Sequence, residues 1–297
     1  FMKFINIRLI PTTRIPRKTT PLGPNLSVAQ PAAYSRGWGN ILVGLSGFSQ
    51  IAGWPDREPA DLQTYTDYIG PHYVAAAIIA ALLYRQRTGK GMYLDVSQNE
   101  ASLQFLAPLI LDYTVNGRIA NRMGNRSTYA APHAAYRCRG DDRWCTIAVS
   151  TDEEWQNFVK VIGNPAWTKD SRFSTFLARK KNEEELDRLV EAWTINHTAE
   201  EVMEMMQAVG VPAGTAETGE DLVENDPQLA HEHYFQRVDH PEGGTYLVHP
   251  SPIVPSKSYH EVRRSPLLGE HNEYVLKELL GLSDDEIADL VIDGAVE

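Results

Sequence analysis

A single acidic residue precedes the longest apolar stretch of the chain: Tyr65-Thr66-Asp67-Tyr68-Ile69-Gly70-Pro71-His72-Tyr73 runs directly into the segment from Val74 to Tyr84. A membrane-spanning helix needs roughly 18 or more apolar residues. This run is shorter, so it predicts a buried helix over about 70–87, stopped by the basic turn and glycines of Arg87-Thr88-Gly89-Lys90-Gly91. A carboxylate beside the first turn of a helix is favoured as the anion by the unpaired N–H groups and the helix dipole. Two readings follow. Asp67 or Thr66 is an N-cap contributing about 1 kcal/mol, or Asp67 is a nucleophile, fixed at a helix terminus and aimed at an activated carbonyl. Local physics alone favours the cap.

The rest of the chain narrows the setting. Its 297 residues, 42% hydrophobic and 23% charged, have the balance of a globular protein long enough for two domains. The net charge of -11 is unevenly spread: residues 1–55 hold six Lys/Arg and no Asp or Glu, which leaves -17 on the remainder. An acidic body argues against nucleic acid as the partner, and no membrane partner is expected. Residues 1–24, Pro-studded and basic, are set aside as an unassigned leader, and Phe1 before Met2 has the look of a cloning remnant. Cys138 and Cys145 show no CxxC spacing and no His cluster, so no metal site is expected. They read as reduced thiols of a cytoplasmic protein.

Periodicity sketches an α/β layer. Met92/Leu94/Val96 alternate against Tyr93/Asp95/Ser97 as a half-buried strand. Ser97-Gln98-Asn99-Glu100 has capping-box spacing for a helix ending before Gly117. Residues 118–135 read as irregular, and a hairpin is expected around Gly140-Asp141-Asp142 with Trp144–Val149 as its second strand. Three amphipathic helices follow, opening near Ser150, carrying Leu186/Leu189/Val190/Trp193, and capped at Thr198. They mark a smaller α+β domain over 141–235. A second β section spans Phe235–Val248, with a helix through Leu279 and another capped at Ser283. No GxSxG, HExxH, GxGxxG or GxxxxGK[ST] occurs, so hydrolase-elbow, zincin, dinucleotide and phosphate-loop readings lack support.

The motifs taken in order are more telling than any one of them. Tyr65-Thr66-Asp67-Tyr68-Ile69-Gly70 is followed by Arg85–Ser97, Gly124-Asn125-Arg126, Ala131-Pro132-His133, Gly210-Val211-Pro212-Ala213-Gly214, Asp226-Pro227-Gln228-Leu229, Asp239-His240-Pro241 and Leu268-Gly269-Glu270-His271. Over about residues 37–297 this series resembles the class III CoA-transferases, the family of formyl-CoA transferase and the carnitine-linked enzymes. The Tyr-Thr-Asp-Tyr context most resembles members acting on benzylsuccinate-like acids.

The resemblance implies an α/β fold: a Rossmann-like large domain, here 25–140 with 236–297 and incomplete, an inserted small domain at 141–235, and an interlocked dimer. It implies Asp67 as the nucleophile, an acyl-CoA thioester and an organic acid as substrates, coenzyme A as the carried group, and no metal. In such a reaction the carboxylate attacks the thioester to give an aspartyl anhydride, the thiolate returns to give an aspartyl-CoA thioester, and an acceptor acid takes the CoA. Trp38, Asn125, Arg126, Tyr129 and His133 are the implied substrate and CoA contacts. Where formyl-CoA transferase has a glycine-rich loop, this chain has Ser127-Thr128-Tyr129-Ala130-Ala131, which implies a different acyl group. Racemases of the superfamily carry a proton-shuttling histidine where this chain has Gly37-Trp38-Gly39. Trp38 cannot take that role, which leaves a CoA-ester isomerase or a non-catalytic assembly subunit as the alternatives to a transferase. Family members also begin with a βαβ-rich segment that residues 1–24 do not resemble. A homodimer or a heteromer supplying that half is therefore expected, and weak CoA binding by the chain alone.

Overall fold

A computed structural model describes residues 6–10 as backbone, 38–257 and 261–296. Its contacts divide the chain into two compact units, Phe1–Thr215 and Ala216–Glu297.

In the first unit β1 (Asn6–Ile10) pairs in parallel with β2 (Tyr93–Ser97), Asn6 opposite Tyr93 and Ile10 opposite Ser97. The segment set aside as a leader thus contains a strand. Parallel partners need a long crossover, and between them come α1 (Gly39–Leu45), α2 (Phe48–Ile51) and α3 (Tyr65–Thr88). The helix start expected after β2 holds: Ser97 is the N-cap, accepting from the Glu100 N–H at 3.3 Å, and opens α4 (Gln98–Phe105). The single helix expected from there breaks at Leu106, and α5 (Ala107–Asn116) follows. Pro108 in its first turn has no N–H to continue the preceding helix. Val43, Phe48, Ile69 and Leu106 form a small core among these helices, and Phe48 meets the Tyr65 ring edge-on at 5.3 Å.

Helix α3 departs from expectation in two ways. It begins at Tyr65, five residues before the expected start at 70, so that Asp67 is its third residue and Pro71 lies inside it. It is also not the buried helix that its apolar run implies. Thr66, Ile69, Gly70, Val74 and Ala81 are buried, whereas Tyr73, Ile79, Leu82, Leu83 and Tyr84 are exposed. By length and composition alone α3 is apolar enough to cross a membrane. However, α1, β2 and α4 pack along it, and Asp67 and Pro71 occupy its first turns.

A three-stranded antiparallel sheet completes this unit, in the order β3 (His133–Arg137), β4 (Trp144–Ala148), β5 (Ala213–Thr215). The expected hairpin joins β3 to β4. Tyr136, Cys145 and Ile147 point from one face of the sheet into a core shared with α6 (Asp152–Val161), α7 (Phe176–Lys181), α8 (Glu183–Thr194) and α9 (Ala199–Gln207), where Phe158, Leu186, Val190 and Met206 are buried. Thr151 and Thr198 both close capping boxes. Cys138 and Cys145 are free and buried, and burial pushes the Cys145 thiol up to about 12.

The second unit contains α10 (Pro227–His231), the hairpin of β6 (Gln236–His240) with β7 (Gly244–Val248), and α11 (Asp284–Ile292), capped at Ser283 as its spacing predicts. Glu270 is clamped by Arg264 at 2.5 and 2.8 Å. With the Leu267 N–H, this holds its carboxyl down to about 2.

Arg179 is the largest fully buried side chain. It donates to the Ala131 and Phe173 carbonyls at 3.0 and 3.4 Å, stacks 4.5 Å above the Trp155 ring, and reaches Asp152 at 3.5 Å. Burial pulls its pKa down, and Asp152 opposes that shift. Truncation leaves two carbonyls unpaired around a cavity. Arg179→Ala is therefore expected to cost about 3–5 kcal/mol, read as a lowered urea midpoint with an unchanged slope.

Candidate functional site

The first turn of α3 is built around Asp67. Thr64 occupies the N-cap position without a side-chain cap hydrogen bond, and the Asp67 N–H donates to the Thr64 carbonyl at 2.8 Å. Neither Asp67 nor Thr66 is the cap, because the helix has already begun. Thr66 is fully buried, and its hydroxyl donates to the Gly39 carbonyl at 3.4 Å. Asp67 itself is exposed.

Its carboxylate is held from another element. The Gln98 side-chain amide, on the first residue of α4, donates from Nε2 to Asp67 Oδ1 and to Thr66 Oγ1, the latter at 3.2 Å. The opposite flip would set the amide oxygen against an anionic carboxylate, so the charge on Asp67 fixes the orientation. Two glycines provide the room. A Cβ on Gly39 would lie 2.6 Å from Asp67 Oδ2 and 2.8 Å from the Thr64 Cα, which no real side chain tolerates, and one on Gly70 would press the Gln98 Cγ at 3.2 Å. Asp67 Oδ2 thus lies over the bare Cα of Gly39. Trp38, 66% exposed, precedes that glycine at the N-cap position of α1.

The other expected contacts gather elsewhere in the same unit. Asn125, Arg126 and His133 line a cavity of about 650 Å³ with Gly124, Ala135, Thr146, Ala148 and Gly214 on the face of the sheet turned away from the core. His133 donates from Nδ1 to the Asn125 carbonyl at 2.6 Å, which leaves Nε2 for a ligand. Tyr129 is 71% exposed and does not line the cavity, nor do Asp67 and Trp38.

The segment that includes Arg126 and Ser127 is pinned to α7 and α8. Lys180 donates to the Ser127 carbonyl at 2.7 Å and pairs with buried Glu183 at 2.6 Å, and Arg126 reaches Glu183 and Glu184 at 3.6 and 3.5 Å. Asp187 accepts from the Tyr136 hydroxyl at 2.7 Å. Among the described residues no group of three or more His, Cys, Asp or Glu is placed to hold a metal ion.

Comparison with known proteins places the chain in a family. The model of CoA-transferase family III matches residues 27–272. The chain belongs to that family. It is 32% identical over 256 residues to a succinyl-CoA–D-citramalate CoA-transferase of Chloroflexus aurantiacus, covering 85% of this chain and 63% of that one. To a formyl-CoA:oxalate CoA-transferase of Streptomyces coelicolor it is 31% identical, covering 86% and 66%. A CaiB/BaiF family protein from Brucella suis has the same fold, with a TM-score of 0.73 at 29% identity over 84% of this chain and 65% of that one. This family III chain thus spans a little under two thirds of the length of these relatives.

Gln98 and Gly39 were not legible as site residues. Gln98 reads as filler within a capping box, and only the packing of α4 against α3 brings it to Asp67, 31 positions away.

Burial raises the Asp187 carboxyl above its ordinary 3.8, and neighbouring Glu183 adds to the shift against the pull of Tyr136, Arg126 and Lys180. A carboxyl raised on folding contributes stability below 3.8, and that contribution is lost as pH rises through the folded value. Asp187→Asn, which keeps an acceptor for Tyr136, should remove the loss. Urea unfolding at roughly pH 4 and pH 7 is expected to show a smaller fall in stability with rising pH in the variant than in the wild type.

Proposed function

We propose that this family III chain carries CoA from an acyl-CoA thioester to a carboxylic acid, with Asp67 as the nucleophile. The observation that carries the reading is the Asp67 carboxylate itself: exposed on the first turn of α3, oriented through Oδ1 by Gln98, with Oδ2 over a glycine that admits no side chain. The carboxylate attacks the thioester carbonyl, the C–S bond breaks, and CoA leaves as the thiolate. The resulting aspartyl anhydride is attacked by the thiolate, which releases the first acid and leaves an aspartyl-CoA thioester. The acceptor carboxylate then reverses the sequence and departs as its CoA ester. Covalent relays of this kind divide one difficult exchange into easier steps.

The cavity under Asn125, Arg126 and His133 is the proposed site for the polar end of the substrates. Exposed Trp38 and Tyr129 are proposed as contacts made only when substrate or a second polypeptide is present. The succinyl-CoA, formyl-CoA, citramalate and oxalate named for the relatives support small carboxylic acids as the substrate class. The exposed apolar side chains of α3 and α5, among them Ile79, Leu83, Leu111 and Val115, support burial against a second copy or a partner polypeptide, because an abundance of exposed large apolar side chains marks an interaction surface. A cytoplasmic location fits two free, buried thiols.

Asp67→Ala is expected to lower CoA transfer by on the order of 10³-fold or more while leaving the helical circular dichroism intact. An exposed first-turn carboxylate contributes only about 0.3–1 kcal/mol to its helix, so retained turnover would refute the assignment. Titration of the chain alone with CoA is expected to show weak binding. Affinity on the order of micromolar would remove the need for a completing polypeptide.

A further inference from the structure

We infer that Gln98 is a catalytic residue, the oxyanion donor for the steps that occur at the side-chain carbon of Asp67; the inference rests on the reading of Asp67 as the nucleophile. The two carboxylate oxygens of Asp67 are not equivalent. Oδ1 receives the Gln98 Nε2–H, whereas Oδ2, packed against the bare Cα of buried Gly39, accepts from no donor shown among the described residues. Oδ2 is therefore the oxygen that attacks. Once it is bonded to the acyl carbon, Oδ1 becomes the carbonyl oxygen of the aspartyl anhydride.

The returning CoA thiolate then adds to Asp67 Cγ. Its electron pair forms the new S–C bond while the carbonyl π pair moves onto Oδ1, the atom already facing the amide. When that charge collapses, the Cγ–Oδ2 bond breaks, Oδ2 leaves with the first acid as its carboxylate, and the aspartyl-CoA thioester remains. The acceptor acid reverses this addition through the same oxygen. The donor is preorganised. Its second N–H is tied to buried Thr66, whose hydroxyl is tied to the Gly39 carbonyl, so the amide needs no rearrangement as charge develops. Removal of one such donor typically costs 10²–10³-fold in kcat.

The first attack puts its negative charge on the substrate's carbonyl oxygen instead, so the two halves of the reaction should separate in a variant. The full chain, purified with any polypeptide that accompanies it, is mixed with succinyl-CoA, quenched in acid at millisecond intervals, and read by intact mass and by peptide mapping across Asp67. The wild type is expected to accumulate CoA on Asp67. Gln98→Met, similar in shape and without a donor, is expected to accumulate the succinyl group on Asp67, with the CoA adduct forming about 100-fold more slowly and KM little changed. Gln98→Leu, also close in size and without a donor, is expected to slow the same step at least as much, which covers the case in which the methionine variant folds poorly. CoA adducts that form at the wild-type rate in both variants would overturn the role of Gln98 while leaving Asp67 the nucleophile. Absence of any adduct on Asp67 in the wild type would overturn the nucleophile reading and this inference with it.

Discussion

The site depends on one short chain of hydrogen bonds. Gln98 donates to Asp67 and to Thr66, and Thr66 donates to Gly39. Those three bonds join the start of α1, the first turn of α3 and the first residue of α4, segments far apart in sequence. Each link has a packing reason to stay in place. Thr66 is fully buried, so loss of its partners would strand a hydroxyl away from water, a cost of about 1–3 kcal/mol. Gly39 and Gly70 leave no gap that a larger side chain could occupy without displacing Asp67 or Gln98. Ile69, two residues beyond Asp67, is anchored in the small core with Val43, Phe48 and Leu106. The carboxylate is exposed, yet everything that orients it lies in packed structure. That is the arrangement a nucleophile needs, since it must be reached by a substrate without moving to meet it.

Helix α3 carries a second burden. Its inward face holds the site, and its outward face bears Ile79, Leu82, Leu83 and Tyr84 at 42–59% exposure. Apolar side chains at that density are not a stable water-facing surface. The longer relatives have about a third more of their own length beyond the matched region. On the proposed reading a second polypeptide surface covers this face, and completion of the cofactor site and burial of α3 are then one event. Stability and CoA affinity would rise together with assembly.

What could be read from the sequence was whatever is local. Ser97, Thr151, Thr198 and Ser283 each mark a helix start because the capping interaction spans only three residues. The β3–β4 hairpin followed from its turn and alternation. The start of α3 lies five residues before the expected one: Gly70 and Pro71 disfavour a helix interior, and tertiary packing from α1 and α4 overrides that preference. The apolar run was read as buried because composition reports that a segment needs cover, not whether this chain supplies it. Asn125, Arg126 and His133 did come together, the first two carried by a loop and the third by the first residue of β3. Tyr129, two residues before the cis Ala131–Pro132 bond, turned outward instead. The ordered motifs singled out Asp67, whereas nothing in them pointed to Gln98, whose contact with Asp67 exists only across the helix pair.

The composition of the first turns of α3 separates the two initial readings of Asp67. As a contribution to helix stability, a third-position carboxylate supplies about 0.3–1 kcal/mol. The residues that follow act against the same helix. Gly70 costs about 1 kcal/mol relative to alanine, and Pro71, well inside the helix, about 3 kcal/mol or more. Pro71 also lacks the N–H that the Asp67 carbonyl would otherwise accept four residues along. A segment shaped for helix stability alone would keep the carboxylate and discard both neighbours. The glycine persists because Gln98 has to pass it to reach Asp67. Local rules broken together at one point, with packing from two other helices holding the result in place, favour the proposed reading of Asp67 as a nucleophile over that of a cap.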